Sequence, residues 1–308
     1  MPNPFLSHSG TARSSNTRRR SRRRLAALAL AAAVVATAAC EVQFVAPEGD
    51  APLRYRDEVF TTVTKTEDVT YGWAWNQEQV EVTLKVDVYR PDGDTETKRP
   101  LLILVHGGSF KTGSKTSPEL VDQANVFAKK GYVTASISYR LSKGGCLPVT
   151  AQCPTAILHA KHDALAAVRY FRANAGTYGI DTERIAITGS SAGAITAVNV
   201  AYGADDPGNS GTSDQPSTVR AATSLSGCAI TTSPSAGEAP VLYLHGSADV
   251  VVQYQCAISS RDAALAAGLE ANFTTLDGGG HVPYVAFRTT ILDHTTNFLY
   301  WKLDLEHT

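Results

Sequence analysis

A serine stands between two glycines where a strand-like segment gives way to a helix-like one. Residues Gly189 to Gly193 have the pattern G-x-S-x-G, directly after the apolar segment Ile185 to Ile187. Only small residues fit so sharp a turn, and the serine is pushed out over the sheet edge at the amino terminus of a helix. The pattern therefore predicts Ser191 as a nucleophile. The plainer alternative is a Gly- and Ser-rich helix start.

Two further residues can complete a catalytic triad, because a nucleophilic serine needs a base and the base needs an orienting acid. Asp249 follows the predicted strand 241–244, and His281 follows the predicted strand 272–276 after three glycines. The three occur in the chain order Ser191, Asp249, His281 and are far apart in sequence. Carboxyl ends of parallel strands share one sheet edge, so we expect the three to meet there. His294 is a rival base, but it falls inside the predicted closing helix.

A glycine pair follows the most apolar strand. His106-Gly107-Gly108-Ser109-Phe110 comes directly after the run Leu101 to Val105. Glycines let a backbone approach a ligand closely, and the N–H groups of such a loop can point at a developing oxyanion. We therefore predict an oxyanion hole made by the N–H groups of Gly107 or Gly108 together with that of Ala192. A plain glycine turn is the alternative.

Strands and helices must alternate to position these loops. The predicted strands are 80–88, 101–105, 132–139, 184–188, 221–225, 241–244 and 272–276, and the predicted helices are 119–130, 155–174, 192–201, 259–267 and 285–301. Such alternation predicts an α/β fold with a mostly parallel, twisted sheet, helices on both faces, and an antiparallel edge formed by residues 59–90. The stretch 203–217 is expected to be an exposed loop, too short for a large cap domain.

The motifs together resemble the α/β-hydrolase superfamily, and within it the secreted carboxylesterase and lipase-type enzymes with an HGG oxyanion loop. The resemblance covers roughly residues 80–303: the loop at 106–110, the elbow at 189–193, the acid segment from His245 and the base loop at 280–281. It implies the same fold and a serine esterase. Ser109 departs from the pattern, because many relatives carry a third glycine there, and the change bears on the shape of the loop and the size of the acyl pocket.

The predicted activity is hydrolysis of carboxylic esters through an acyl-enzyme, with no cofactor. The substrate is expected to be a short or accessible ester, either a small molecule or a polymer. Two alternatives remain at this point. One is a serine peptidase of related fold, and the other is a non-catalytic binding protein on a hydrolase scaffold, since fold does not fix function.

The amino-terminal segment 1–39 has the features of an export signal. It contains seven Arg and no Lys, Asp or Glu, and it ends in the Ala-rich apolar stretch from Leu25 to Ala39. Arg22-Arg23-Arg24-Leu25 resembles a twin-arginine signal, and Thr37-Ala38-Ala39-Cys40 resembles a bacterial lipoprotein cleavage site. Thr37 departs from the usual large aliphatic residue, so lipidation of Cys40 with membrane attachment and ordinary cleavage are both open. A basic nucleic-acid arm is the third alternative.

These features predict three parts: an export signal at 1–39, a tether at 40–58 and a catalytic domain at 59–308. Without the signal, 21 basic residues stand against 29 acidic ones, so the net charge is −8 and nucleic acid is not an expected partner. The protein is expected to be bacterial and exported, as a periplasmic, cell-surface or secreted protein. Its oligomeric state is not determined by the sequence.

Four cysteines remain after Cys40, and in an oxidising compartment they allow three pairings. Cys146 and Cys153 flank a short loop, which favours a local bridge and leaves Cys228 for Cys256. Four buried thiols are the alternative. No spacing suggests zinc. His159 and His162 are expected on a solvated helix face, and Asp163 as a surface or cap charge, as are Asp181, Asp262 and Asp277.

Overall fold

One eight-stranded sheet forms the centre of the molecule. The structure is a computed structural model that describes residues 45–203, 206–212 and 214–307. The strand order is β1-β2-β4-β3-β5-β6-β7-β8. The strands are β1 Val63–Trp75, β2 Glu81–Pro91, β3 Arg99–Val105, β4 Val133–Ile137, β5 Ile180–Ser190, β6 Ala221–Leu225, β7 Val241–Gly246 and β8 Ala271–Leu276.

Six helices connect and cover these strands. They are α1 Pro118–Lys129, α2 Cys153–Ala173, α3 Ala175–Tyr178, α4 Ala192–Ala201, α5 Tyr254–Ala266 and α6 Arg288–Lys302, and a 3₁₀ turn follows at Leu305–His307. Helix α5 begins at Tyr254, earlier than predicted. No side chain caps its start, so the sequence carried no signal for this boundary. Helix α6 begins later than predicted, after the exposed Val285.

The pairing of the strands confirms the predicted mixed sheet. From β4 to β8 every neighbouring pair is parallel, whereas β1 with β2 and β2 with β4 are antiparallel. All seven residues of β3 are buried, as expected for a parallel strand covered on both faces. The carboxyl ends of β3, β5, β7 and β8 therefore lie along one edge of the sheet.

The core is divided between the two faces of the sheet. On one face α2, α4 and α5 pack against residues such as Ile103, Ile187 and Tyr243. On the other face α1 and α6 pack against residues such as Leu102, Leu104 and Leu244. This two-sided burial confirms the predicted α/β layering. The described residues form no separate cap over the sheet edge, and none of their helices has the length and apolar character needed to cross a bilayer.

The last part of the predicted tether packs against the domain. Tyr55 is buried, its N–H donates to the carbonyl of Lys130 at 2.8 Å, and its ring lies edge-on to Tyr132. The N–H groups of Val59 and Phe60 donate to the carbonyl of Lys129. Residues 53–60 thus cover the carboxyl end of α1. Residues 1–44, which include the predicted export signal and Cys40, lie outside the described part of the chain.

The prediction for Asp163 was wrong, because its carboxylate is fully buried on α2. It forms an ion pair with Arg140 at 2.8 Å, and neither side chain is accessible to solvent. The same carboxylate accepts the backbone N–H of Arg140 at 2.7 Å and the hydroxyl of Ser210 at 2.5 Å. Arg140 in turn donates to the carbonyl of Trp75. The network joins α2, the segment after β4, the end of β1 and the loop after α4.

The loop after α4 is therefore only partly exposed, which corrects that prediction. Ser210 is buried, and the guanidinium of Arg169 donates to its carbonyl at 2.9 Å. His162, expected on a solvated face, is buried as well, and its ring nitrogens lie 3.0 Å from Asn209 Oδ1 and from Asp206 Oδ2. Helix periodicity gave no sign of these partners because they come from a distant part of the chain.

Replacement of Asp163 by Ala should destabilise the fold by about 3–5 kcal/mol, because the guanidinium of Arg140 would remain buried without its counter-charge. Urea unfolding followed by circular dichroism measures the loss. Asp262→Ala is the matched control: this aspartate is more than half exposed and should cost less than about 0.5 kcal/mol. Equal losses in the two variants would contradict the structural role of the buried pair.

Candidate active site

The nucleophile turn is formed by contacts that leave no space for side chains. A Cβ atom on Gly193 would lie 1.9 Å from the carbonyl oxygen of Val105, and one on Gly189 would lie 2.3 Å from the backbone of Gly193. Ser191 adopts φ 53° and ψ −117°, a region that residues other than glycine rarely occupy. Its side chain therefore stands at the start of α4, above the end of β5.

The three predicted triad residues form one hydrogen-bonded chain. His281 Nε2 lies 2.8 Å from Ser191 Oγ, and His281 Nδ1 lies 2.8 Å from Asp249 Oδ2. The imidazole is partly exposed, whereas the carboxylate is inaccessible to solvent. The serine, the histidine and the aspartate follow β5, β8 and β7, respectively, so the parallel sheet brings them to one edge.

The carboxylate of Asp249 is held by its own loop. Its Oδ1 accepts the N–H groups of Val251 at 2.9 Å and Val252 at 3.1 Å, which leaves Oδ2 for the histidine. His245 also approaches: its Nε2 lies 2.8 Å from the carbonyl of Val252 and 3.2 Å from Asp249 Oδ2. Burial lowers the pKa of His245, which favours a neutral imidazole next to the carboxylate.

The predicted oxyanion loop lies directly against the nucleophile. A Cβ atom on Gly107 would be 3.2 Å from Cβ of Ser191. The next three residues, Gly108 to Phe110, all have positive φ, so the chain turns back on itself within a few residues. Ala192 is the first residue of α4, and the first N–H groups of a helix have no partner within it. The residues predicted to supply the oxyanion hole therefore lie next to Ser191.

The buried side chain of His106 holds this loop through a hydrogen bond to the carbonyl of Gly107. Its imidazole is fully buried, stacks on Tyr139 at 4.2 Å between ring centres, and donates from Nδ1 to the carbonyl of Gly107 at 2.7 Å. The hydroxyl of Tyr139 donates to the carbonyl of His106. Burial lowers the pKa of His106 to about 4, so the ring is neutral at neutral pH.

Two contacts near the site had no sequence signal. Ser190 Oγ donates to Glu119 Oε1 at 3.0 Å, which places a carboxylate from α1 beside the elbow. The N–H of Val282 donates to Ser226 Oγ at 3.0 Å and ties the histidine loop to the end of β6. Only the fold brings these partners together. The rival base His294 lies elsewhere, with its Nδ1 2.8 Å from Thr274 Oγ1.

The four cysteines after Cys40 form two disulfide bonds, Cys146–Cys153 and Cys228–Cys256. The first joins the segment after β4 to the first residue of α2. The second joins the loop after β6 to α5. Both bridges border a cavity that reaches Ser191.

Two depressions meet at Ser191 and differ in the polarity of their lining residues. One is a cavity of about 500 Å³ with a predominantly apolar lining, which includes Phe110, Ile157, Ile195 and Ile230. The other, of about 410 Å³, is lined in part by Ser117, Glu119 and His281. Ser191 borders both. No group of three His, Cys, Asp or Glu side chains among the described residues is placed to hold a metal ion.

Comparison with known proteins identifies the fold. The BD-FAE family matches residues 86–229, a little under half of the chain. The esterase Est2 of Thermogutta terrifontis, with propionate bound, superposes with a TM-score of 0.63 at 21% identity, over 76% of this chain and 93% of that one. The chain therefore has the α/β-hydrolase fold, as the sequence predicts.

Curated relatives share shorter stretches of sequence. Esterase LipQ of Mycobacterium tuberculosis is 30% identical over 145 residues, which are 46% of this chain and 30% of LipQ. Gut esterase 1 of Caenorhabditis briggsae is 33% identical over 114 residues, which are 37% of this chain and 20% of that protein. The matched region thus spans less than a third of either relative.

The depressed pKa of His106 gives the fold a pH-dependent stability. An unfolded histidine has a pKa near 6.5, so the contribution is complete above about pH 6.5 and is lost as the pH falls towards 4. Between pH 7 and pH 5 we expect the wild type to lose about 2 kcal/mol more than His106→Gln, which cannot titrate. Urea unfolding of both proteins at the two pH values provides the measurement. Parallel losses would rule out His106 as a source of this dependence.

Proposed function

We propose that this protein is a serine carboxylesterase that hydrolyses esters through an acyl-enzyme. The observation that supports this most directly is the chain of 2.8 Å hydrogen bonds from Ser191 Oγ through His281 to Asp249. The esterase relatives support the same class of reaction. Apart from the ester and water, the proposed reaction uses only the side chains and N–H groups of the chain itself.

In the proposed reaction, His281 Nε2 accepts the proton of Ser191 as Oγ attacks the ester carbonyl. Asp249 holds the imidazole with Nδ1–H towards its carboxylate and stabilises the cationic form. The N–H of Ala192 and that of Gly107 or Gly108 donate to the oxyanion, and each such donor typically contributes about 3–4 kcal/mol to the transition state. His281 then protonates the leaving alcohol, and water repeats the sequence on the acyl-enzyme.

The position of the base assigns the two depressions to the two halves of the ester. The leaving oxygen must receive a proton from His281, so the alcohol part must lie on the side of the depression that His281 lines. The acyl part is then directed into the apolar cavity of about 500 Å³, whose size is within the usual range for small-ligand sites. The more polar side carries Glu119, which suits an alcohol with further hydroxyl groups or a positive charge.

The proposed setting is outside the cytoplasm of a bacterial cell. Two disulfide bonds fit an oxidising compartment. Residues 1–39 are proposed as the export signal and Cys40 as a lipid-bearing residue that would attach the catalytic domain to a membrane. In that setting the substrate is an ester, small or polymeric, that the enzyme meets at or beyond the cell surface.

Replacement of Ser191 by Ala should lower kcat/KM for p-nitrophenyl butyrate by at least about 10⁴-fold, because the attacking oxygen is removed. The same change should abolish labelling by a fluorophosphonate probe. Ser235→Ala, at an exposed serine, is the control and should behave as wild type. Circular dichroism verifies that both variants are folded. Undiminished turnover by the alanine variant would refute the assigned nucleophile.

Substitution of Arg22 and Arg23 by Lys should keep the full-length protein in the cytoplasm of a bacterial host with twin-arginine export. Cell fractionation and immunoblotting measure its location, with Arg18 and Arg19 replaced by Lys as the control. Mass spectrometry of the exported protein should find an acylated Cys40 as the first residue. An unmodified amino terminus would support ordinary cleavage, and unimpaired export of the first variant would contradict the twin-arginine assignment.

A further inference from the structure

Both disulfide bonds form part of the wall of the apolar cavity. Cys146, Cys153, Cys228 and Cys256 all line it, on elements that are distant in sequence. Cys146–Cys153 closes the short loop at 146–153, here called the cystine loop, between the segment after β4 and α2. The same cavity reaches Ser191. The contacts that hold the cystine loop in place therefore also determine the space available to the substrate group that is bonded to Ser191.

The cystine loop presents two apolar side chains to solvent at this cavity. Leu147 is 58% exposed and Val149 is 81% exposed, and both line the cavity. Exposed apolar residues that meet at a concave site indicate a surface that an apolar ligand covers. Leu147 also lines the more polar depression, so it stands at the boundary between the two sides of the nucleophile.

The ends of the loop carry the contacts that position it. The N–H of Cys146 donates to the carbonyl of Ser109 at 2.9 Å, and the hydroxyl of Thr150 donates to the carbonyl of Gly145 at 2.8 Å. The disulfide then fixes Cys146 to the first turn of α2. Leu147 and Val149 lie between these attachments and so depend on the bridge for their position over the cavity.

The second bridge, Cys228–Cys256, lies close in the chain to the loop that holds Asp249. Cys256 lies on α5, shortly after Val251 and Val252, whose N–H groups hold the carboxylate of Asp249. Loss of Cys228–Cys256 would therefore disturb the acid loop as well as the cavity. Among the described residues, no hydrogen bond joins the cystine loop to Asp249 or His281. The two bridges should consequently have separable effects on selectivity and turnover.

We propose that the cystine loop selects the acyl chain of the substrate, by holding Leu147 and Val149 over the cavity through the Cys146–Cys153 bridge. This inference rests on the proposed esterase function. An acyl chain of several carbons would cover both side chains, whereas an acetyl group would end near Ser191. Each methylene buried there should raise kcat/KM by about fourfold until the cavity is filled.

The test compares kcat/KM for p-nitrophenyl acetate, butyrate and hexanoate in the wild type, in Leu147→Ala and in the double variant Cys146→Ser/Cys153→Ser. Leu265→Ala is the matched control, because this leucine is 47% exposed on α5 and does not line the cavity. We expect the hexanoate-to-acetate ratio to fall by at least about fivefold in both loop variants, mainly through KM for hexanoate, and to stay at the wild-type value in Leu265→Ala.

Equal ratios in Leu147→Ala and Leu265→Ala would overturn the proposal, even if the double cysteine variant fails to fold. Calorimetric binding of hexanoate, the acid that the reaction would release, separates this proposal from the esterase function. If the wild type hydrolyses no ester, the proposed esterase function is wrong. The role of the cystine loop then stands only if hexanoate binds the wild type and binds Leu147→Ala at least about fivefold more weakly than Leu265→Ala. If hexanoate does not bind the wild type, or binds the two leucine variants equally, the role of the cystine loop is overturned as well.

Discussion

The site depends on the close approach of two backbones at the end of the central strands. Gly193, in the first turn of α4, lies against the carbonyl of Val105 at the end of β3, with no space for even a methyl group. That contact fixes where α4 starts relative to the sheet and holds Ser191 in its rare backbone conformation. It also brings Gly107, which closely follows Val105 in the chain, against the side of the serine. Ser191 and the loop that contains Gly107 are thus positioned by one steric constraint.

Parallel strand pairing supplies the rest of the triad. The registers of β5, β6, β7 and β8 place their carboxyl ends at one edge, so loops that are distant in the chain converge within hydrogen-bond distance. Each polar partner there is itself held: Asp249 by two N–H groups, and the histidine loop by Ser226. Fixed donors and acceptors of this kind need little rearrangement as charge develops, which is the basis of electrostatic catalysis.

The segments around the apolar cavity are held together by an ion pair and by disulfide bonds rather than by strand pairing. A buried Arg140–Asp163 pair joins the segment after β4 to α2, and the cystine loop follows between them in the chain. A buried ion pair contributes little net stability, but it is specific in geometry because its hydrogen bonds leave one arrangement satisfied. The walls of the apolar cavity are therefore set by links between segments rather than by one continuous element.

The sequence by itself determined the order of the elements, the elbow and the identities of the three residues that meet. Those features are local: apolar periodicity, a glycine pattern required by one tight turn, and polar residues directly after strands. The tertiary structure decided the burial of Asp163 with Arg140, the contact of Glu119 with Ser190, the packing of Tyr55 and the two-sided pocket at the nucleophile. Each of these joins residues that are distant in the chain. Their partners are chosen by the packing of helices on the sheet, which leaves no periodic trace in the sequence.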